Sequence, residues 1–337
     1  MNGMLGVWGQ FLVCALLIGY AGGKLARYGD IIGHRAGWSG SWVGLILLST
    51  VTSLPELATG ISAAGFADKP DIAAGDIFGS CAFNLLILCI IDAFYRKKPL
   101  YGEVQHSHAL SGAFGLALLA LAGAALILGK RLDELALWHV GIFSPVVVAL
   151  YLLAMRAIHK QEQRDGEDQP QEEQQDDVSM RRAIAMYLLA AAVVIAAGGR
   201  LPFVAVRLAE LMGWEDSFVG TLFVAAATSL PELSVSITAL RIGQPDMAVA
   251  NILGSNMFNV IMLAIDDVAY FKGPLLSNVA PLHAVTVFAT LIMGAIVIAA
   301  LIGRPRKRVL GLMSWHSFVI VAVFALSSFA QFRYGVA

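Results

Sequence analysis

The sequence predicts an all-α membrane protein of ten transmembrane helices, arranged as two inverted repeats of five helices each. Three observations support this prediction. The composition is unusually apolar, apolar runs of membrane-spanning length follow one another along the chain, and the motif TSLPEL occurs once in each half, at residues 52–57 and 228–233.

The composition is typical of an integral membrane protein. Of the 337 residues, 58% are hydrophobic and only 14% are charged, and the mean hydropathy is +0.73. A soluble domain carries about 25% charged residues. The net charge of −1 provides no basic surface for nucleic acid, so a nucleic-acid partner is not expected. Lipid is the expected surrounding.

Ten apolar runs are each long enough to cross a hydrocarbon core of ~30 Å. Charged or Gly/Pro-rich breaks separate them. The predicted spans are residues 4–28, 42–65, 71–94, 106–129, 134–158, 183–211, 217–241, 246–270, 277–302 and 309–331.

A polar, acid-rich stretch divides the chain into a first repeat, 1–158, and a second, 183–337. Residues 159–182 have low complexity and no apolar periodicity, and they are predicted to form a disordered linker. If successive spans alternate in direction, 16 of the 23 Lys and Arg residues lie on the linker side. Because basic residues concentrate on the cytoplasmic side, we expect the linker inside and both termini outside.

The two halves align over the TSLPEL motif and the span that follows it. Residues 52–100 match residues 228–275 with a single one-residue gap. Five spans per half is an odd number, so the second copy crosses the membrane in the opposite sense to the first. Inverted repeats are typical of secondary transporters, whose site lies between the copies near the membrane midplane.

The TSLPEL segments place polar side chains on one face of a helix at spacings of three and four residues. Pro55 and Pro231 lack a backbone N–H, so the carbonyl groups four residues earlier are free to act as ligands. The polar face comprises Ser49, Thr52, Ser53 and Glu56 in the first copy, and Ala225, Thr228, Ser229 and Glu232 in the second.

The helix after each motif carries a second polar row at four-residue spacing. This row comprises Asp76, Ser80 and Asn84 in the first copy, and Asn251, Ser255 and Asn259 in the second. Gly79 and Gly254 leave space for a crossing helix. The two rows supply almost only oxygen, which suits hard cations such as calcium and sodium, whereas zinc or copper favours His or Cys.

A purely structural interpretation is that the prolines only kink helices and that the hydroxyl and amide groups only link them. Glu56 and Glu232 argue against it, because each is a carboxylate placed deep in a span at a cost of several kcal/mol, and each recurs in the same motif. Asp92, Asp266 and Asp267, near span ends, are expected to be solvated. The histidines, including His106, His108 and His283, are expected at the membrane interface.

At these motifs the sequence resembles the cation/calcium exchanger superfamily, in which two repeats each carry a G-[ST]-S-x-P-[ED] helix and a G-S-x-x-x-[ND] helix. The resemblance implies that Glu56 and Glu232 are the central ligands, occupied by calcium and sodium in alternation. It implies no resident cofactor, and the short linker resembles prokaryotic members, whose location is the plasma membrane. The flanking ligands implied are Thr52, Ser53, Thr228, Ser229, Ser80, Asn84, Ser255 and Asn259.

Four positions depart from the superfamily pattern. Val51 and Ala227 replace the glycine before the TS pair, and Cys81 replaces the asparagine of GSN in the first copy. Asp76 stands where a neutral residue is usual, and it is therefore a candidate third carboxylate of the site.

The expected function is exchange of calcium for sodium by alternating access, without catalytic chemistry. A proton-coupled or other monovalent-for-divalent antiporter is the alternative, because protons compete with sodium if Asp76 lines the path. An intramembrane hydrolase is disfavoured because no Ser/His or HExxH arrangement occurs. A channel is disfavoured because an inverted repeat suits alternating access.

Overall fold

A computed structural model describes residues 2–35, 49–95, 98–165 and 178–334, which are nearly all helical. Nine helical segments in these ranges are long and apolar enough to cross a membrane. The α-helices are α1 (Asn2–Arg35), α2 (Ser49–Thr52), α3 (Leu54–Ile61), α4 (Pro70–Phe94), α5 (His108–Leu128), α6 (Phe143–Asp165), α7 (Met180–Met212), α8 (Asp216–Phe218), α9 (Ala225–Thr228), α10 (Leu230–Arg241), α11 (Pro245–Ala269), α12 (His283–Gly303) and α13 (Trp315–Tyr334).

The segment that completes the predicted ten is the second span, 42–65. Residues 36–48 lie outside the described residues, and the part that is described consists of α2, α3 and a π-helical turn, Ser62–Phe66. Its counterpart in the second copy is one span, Asp216–Arg241, built from α8, a π-helical turn (Val219–Val224), α9 and α10.

The fifth and tenth spans begin later than predicted, at Phe143 and Trp315 rather than at residues 134 and 309. Apolar content extended both predictions into loops. Gly129 has a φ of +48° and ends α5, and a bridge joins Leu137 to Val140 before α6 begins. The loop before α13 likewise contains positive-φ residues and a short bridge, so chain reversal and not hydropathy sets these boundaries.

The linker is shorter than predicted at both ends. Helix α6 continues to Asp165 and α7 begins at Met180, so residues 159–165 and 180–182 are helical. Gln, Glu, Lys and Arg are good helix formers that extend an existing helix at little cost. Residues 166–177 lie outside the described residues.

The contacts between helices recur in equivalent form when the two copies are exchanged. Helices α4 and α11 pack on each other in the centre and are the most buried of the described spans. Helix α4 also packs on the Val219–Thr228 segment, while α11 packs on α2 and α3. Helix α1 packs on α10, and α7 packs on α3. This exchange of partners is the arrangement predicted for an inverted repeat.

Two buried aspartates join the copies in equivalent ways, and the expectation that they are solvated is wrong. Asp92 accepts hydrogen bonds from Leu100 N (2.8 Å), Ser314 N (2.8 Å) and Ser317 Oγ (2.7 Å). Asp267, its counterpart, accepts them from loop groups of the other copy and its own. These donors are Leu275 N (2.6 Å), Gly141 N (2.8 Å) and Ser144 Oγ (2.5 Å).

Two histidines are also bound across the copies and do not lie free at the interface. His283 Nε2 lies 3.0 Å from Asp71 Oδ1. His108 Nε2 lies 2.9 Å from Asp246 Oδ1 in the equivalent position at the opposite membrane face. Each pair holds the beginning of one copy's long central helix against the other copy.

Replacing Asp92 or Asp267 by alanine is expected to destabilise the fold by about 2–5 kcal/mol, because buried donors lose their acceptor. Thermal unfolding of the purified protein in detergent measures this as a lower midpoint. Glu103→Ala is the control, because it removes only a surface ion pair with Lys98 (3.0 Å) and is expected to change stability by less than about 0.5 kcal/mol. Equal midpoints for all three variants would contradict the assignment.

Candidate functional site

Both TSLPEL segments interrupt their helix at the serine before the leucine. Ser53 (φ −88°, ψ 11°) separates α2 from α3, and Ser229 (φ −79°, ψ 5°) separates α9 from α10. The following proline in each segment has no N–H to continue the hydrogen-bond ladder. Such interruptions are tolerated in a membrane where the backbone lines a cavity or binds an ion.

The predicted polar rows all lie inside the protein. Every side chain of the two motif faces and the two following rows is at most 3% exposed, although several of them are charged or strongly polar. These residues are Ser49, Thr52, Ser53, Glu56, Asp76, Ser80, Asn84, Ala225, Thr228, Ser229, Glu232, Asn251, Ser255 and Asn259. The predicted site residues are therefore all buried.

Hydroxyl contacts join each motif to the other copy's central helix in a symmetrical way. Thr52 Oγ1 lies 3.4 Å from Ser255 Oγ, and Thr228 Oγ1 lies 3.3 Å from Ser80 Oγ. Neither contact could be deduced from one copy alone. Each motif is therefore completed by a helix that begins in the other half of the chain.

The two glutamates differ in their contacts. Ser53 Oγ donates a hydrogen bond to Glu232 Oε1 (3.2 Å), whereas both carboxylate oxygens of Glu56 have no hydrogen-bond partner. Glu56 lies within electrostatic range of both Glu232 and Asp76, and near the Thr228 hydroxyl. The carboxylates repel one another in a region that water does not reach.

Asp76 belongs to the same cluster. Its Oδ1 accepts hydrogen bonds from Thr228 Oγ1 (2.8 Å) and Ser80 Oγ (3.5 Å), and its Oδ2 has no partner. Several further buried oxygens of the cluster are also without a hydrogen bond. They are Glu232 Oε2, Asn84 Oδ1, Asn259 Oδ1, Asn251 Oδ1 and Ser229 Oγ.

An oxygen-rich cluster with unpaired acceptors is suited to a hard cation. None of Glu56, Asp76 and Glu232 forms an ion pair with another described residue. Among the residues that the structure describes, no group of three or more His, Cys, Asp and Glu is placed to hold a metal ion. A cation bound here would therefore take a mixed shell of carboxylate, hydroxyl and amide oxygens.

Glycines allow the close approach of α4 to the Val219–Thr228 segment. A Cβ on Gly79 would lie 2.2 Å from Thr221 O and 2.6 Å from Ala225 Cβ, and Gly75 is similarly close to Gly220. This confirms the space predicted at Gly79. Gly254, the equivalent residue, is buried in α11.

The chain matches the family model described as sodium/calcium exchanger protein over residues 6–157 and 182–333. The two matched stretches are the two repeats. The chain belongs to the sodium/calcium exchanger family. The chain is therefore an integral membrane transport protein. Each of its two repeats contributes one fully buried glutamate, Glu56 or Glu232.

Two relatives illustrate where similarity concentrates. Inner membrane protein YrbG from Escherichia coli is 28% identical over 260 residues, which cover 75% of this chain and 76% of that protein. Sodium/calcium exchanger MaX1 from Methanosarcina acetivorans is 42% identical, but only over 59 residues, or 18% of this chain and 17% of that protein.

Solved exchangers share the fold. A structure of the sodium-calcium exchanger NCX_Mj aligns with a TM-score of 0.64 at 20% identity, over 96% of this chain and 98% of the other. The H+/Ca2+ exchanger CAX aligns with a TM-score of 0.70 at 14% identity, over 98% and 86%. These alignments place the chain in the exchanger architecture.

One polar residue of this exchanger's centre was not among the predicted site residues. Asn256 donates to Cys81 O (3.2 Å) and accepts from Asn84 Nδ2 (2.9 Å), so it joins the two central helices. Because Asn256 binds the Asn84 amide nitrogen, the Asn84 amide oxygen is left unpaired. The alignment of the two copies could have indicated this contact. Asn256 aligns with Cys81, the residue that replaces the usual asparagine in the first copy.

Gly79→Ala is expected to push α4 away from the Val219–Thr228 segment and to abolish transport, because its Cβ would overlap a backbone carbonyl. Gly199→Ala is the matched control, since no atom lies within 4 Å of the added Cβ, and it is expected to retain transport. Calcium flux in proteoliposomes measures both. Full transport by Gly79→Ala would show that the close approach is dispensable.

Proposed function

We propose that the protein exchanges calcium for sodium across the membrane by alternating access to the site between the two repeats. One observation carries this proposal: both repeats contribute fully buried glutamates to a cluster of oxygens, and three of the four glutamate oxygens lack a hydrogen-bond partner. A buried carboxylate without a partner costs several kcal/mol, and a cation removes that cost.

The charges favour alternate occupancy by one divalent or several monovalent cations. Glu56 and Glu232 together neutralise one calcium ion, and sodium ions bind the same oxygen types. An empty site retains its repelling carboxylates in a medium of low dielectric. Because it is costly to move the empty, charged site between the two membrane faces, the site changes its access only with a cation bound. The protein therefore exchanges cations and does not leak them.

Access to the site would change by movement of α1 and α7 against the rest of the protein. The two helices contact each other, and each packs on the other copy's motif helix beside its proline. Gly22 of α1 faces Pro231, and Gly198 of α7 lies against Pro55 O. These equivalent close contacts at glycine support movement of the pair, as the family resemblance implies.

The second candidate is a proton-coupled calcium antiporter, which Asp76 favours. Asp76 is fully buried beside the glutamates, and this third carboxylate gives a proton a place to compete with sodium. The fold similarity to the H+/Ca2+ exchanger CAX is compatible with this candidate.

Imposed gradients separate the two candidates. In proteoliposomes an outwardly directed sodium gradient is expected to drive calcium uptake at constant pH. A pH gradient without sodium is expected to drive none, and Asp76→Asn is expected to retain sodium-driven uptake. Uptake driven by the pH gradient alone, and lost in Asp76→Asn, would establish proton coupling in place of sodium coupling.

Glu56→Gln and Glu232→Gln are each expected to lower calcium exchange by a factor of about 100 or more, because a charged ligand is worth upwards of about 3 kcal/mol. Side-chain volume is kept, so the thermal midpoint is expected to be equal or higher.

Asn84→Ala is the graded comparison, since it removes one neutral ligand and is expected to weaken calcium binding about tenfold. Calcium titration calorimetry and isotope flux measure the three variants. Exchange at the wild-type rate in both glutamine variants would refute the site.

A further inference from the structure

Asp266 is a buried carboxylate that neither the helix packing nor the central site accounts for. It is fully buried, and neither of its oxygens has a hydrogen-bond partner. Its neighbour Asp267 has three donors and an equivalent in Asp92, whereas the residue equivalent to Asp266 is Ile91. Asp266 therefore has no part in the hydrogen bonds by which Asp92 and Asp267 join the two copies.

The carboxylate of Asp266 faces the motif helix one turn from Glu56. A Cβ placed on Gly60 would lie 2.4 Å from both of its oxygens, so the absence of a side chain at Gly60 provides its space. Asp266 also lies seven residues after Asn259, on the same face of α11. It interacts electrostatically with Asp76 of α4.

The inverted repeat supplies an internal comparison. Gly60, Asp76 and Asp266 align with Ser236, Asn251 and Ile91, which occupy the equivalent place towards the opposite membrane face. There the polar pair is neutral. Asn251 Nδ2 lies 3.5 Å from Ser236 Oγ, only the Asn251 amide oxygen is unpaired, and Ile91 is buried. The differences at these three positions thus place Asp76 and Asp266 on one side of the centre, where the other side has Asn251 and Ile91.

The basic groups described near that face do not compensate these carboxylates. Lys69 forms an ion pair with Asp216 (2.7 Å), and Lys272 with Asp68, both at the protein surface. Asp266 and the free Oδ2 of Asp76 therefore present three unpaired carboxyl oxygens in the interior. Burial of such oxygens is stabilised by a bound cation.

We infer that Asp266 and Asp76 form a second cation-binding position, where a hard cation pauses between the central glutamates and the face at which α4 begins. In the predicted orientation this face is extracellular. The inference rests on the proposed exchange function, and the cation is the transported calcium or sodium. Two carboxylates give an incomplete shell, which suits brief binding of a partly hydrated ion during access.

The test uses the full-length protein in proteoliposomes sorted by orientation, with calcium as the probe. Asp266→Asn removes the charge and keeps the volume. The double variant Gly60→Ser/Asp266→Ile gives this side the residues of the other copy. Glu134→Gln is the matched control, since it removes an exposed carboxylate at the same face.

Asp266→Asn and the double variant are each expected to raise the half-saturating calcium concentration at the α4 N-terminal face at least about threefold. The value at the opposite face is expected to stay the same, and Glu134→Gln is expected to change neither. Because an unpaired buried charge is removed, the thermal midpoint of Asp266→Asn is expected to be equal or higher.

An unchanged value at both faces, or an equal change at both faces, overturns the second position. Glu56→Gln is measured in parallel to separate the two proposals. If Glu56→Gln is inactive while Asp266→Asn behaves as wild type, only the second position fails. If Glu56→Gln exchanges calcium normally, the central site itself fails.

Discussion

The structure depends on one constraint, which is that carboxylates held in a hydrocarbon layer need a positive charge that the chain does not supply. Glu56, Glu232 and Asp76 are fully buried, and none forms an ion pair with another described residue. In the proposed function a bound cation provides this charge. In that proposal, the unpaired buried carboxylates that destabilise the empty site also give the site its affinity for the transported cation.

The interlocked copies provide the framework that holds these carboxylates together. Each motif is completed by hydroxyls of the other copy, and Asp92 and Asp267 each collect three hydrogen bonds at opposite faces. Buried carboxylates that each accept several hydrogen bonds make the centre of the protein rigid. Against it, α1 and α7 pack closely on the proline-bearing helices through Gly22 and Gly198, and in the proposed function these two helices move.

The two copies differ at a few polar positions near the centre of the protein. Ser53 donates to Glu232, while Ser229 and Glu56 are left unpaired. Asp76 and Asp266 are acidic where the second and first copies have Asn251 and Ile91. An exchanger with two identical access routes needs no such differences. We therefore associate them with the different ionic conditions that the two membrane faces meet.

Sequence determined the membrane class, the repeat and the polar rows, because hydropathy, helical spacing and self-similarity are local properties of a chain. It misjudged Asp92, Asp266 and Asp267, which proximity to span ends suggested were solvated, and it placed the start of the fifth span nine residues early. Tertiary structure alone decided these points, together with the roles of Asn256 and Asp266. The environments of the four polar residues depend on partners far away in the chain, which only packing of the two copies brings together, whereas a local turn sets the start of the fifth span.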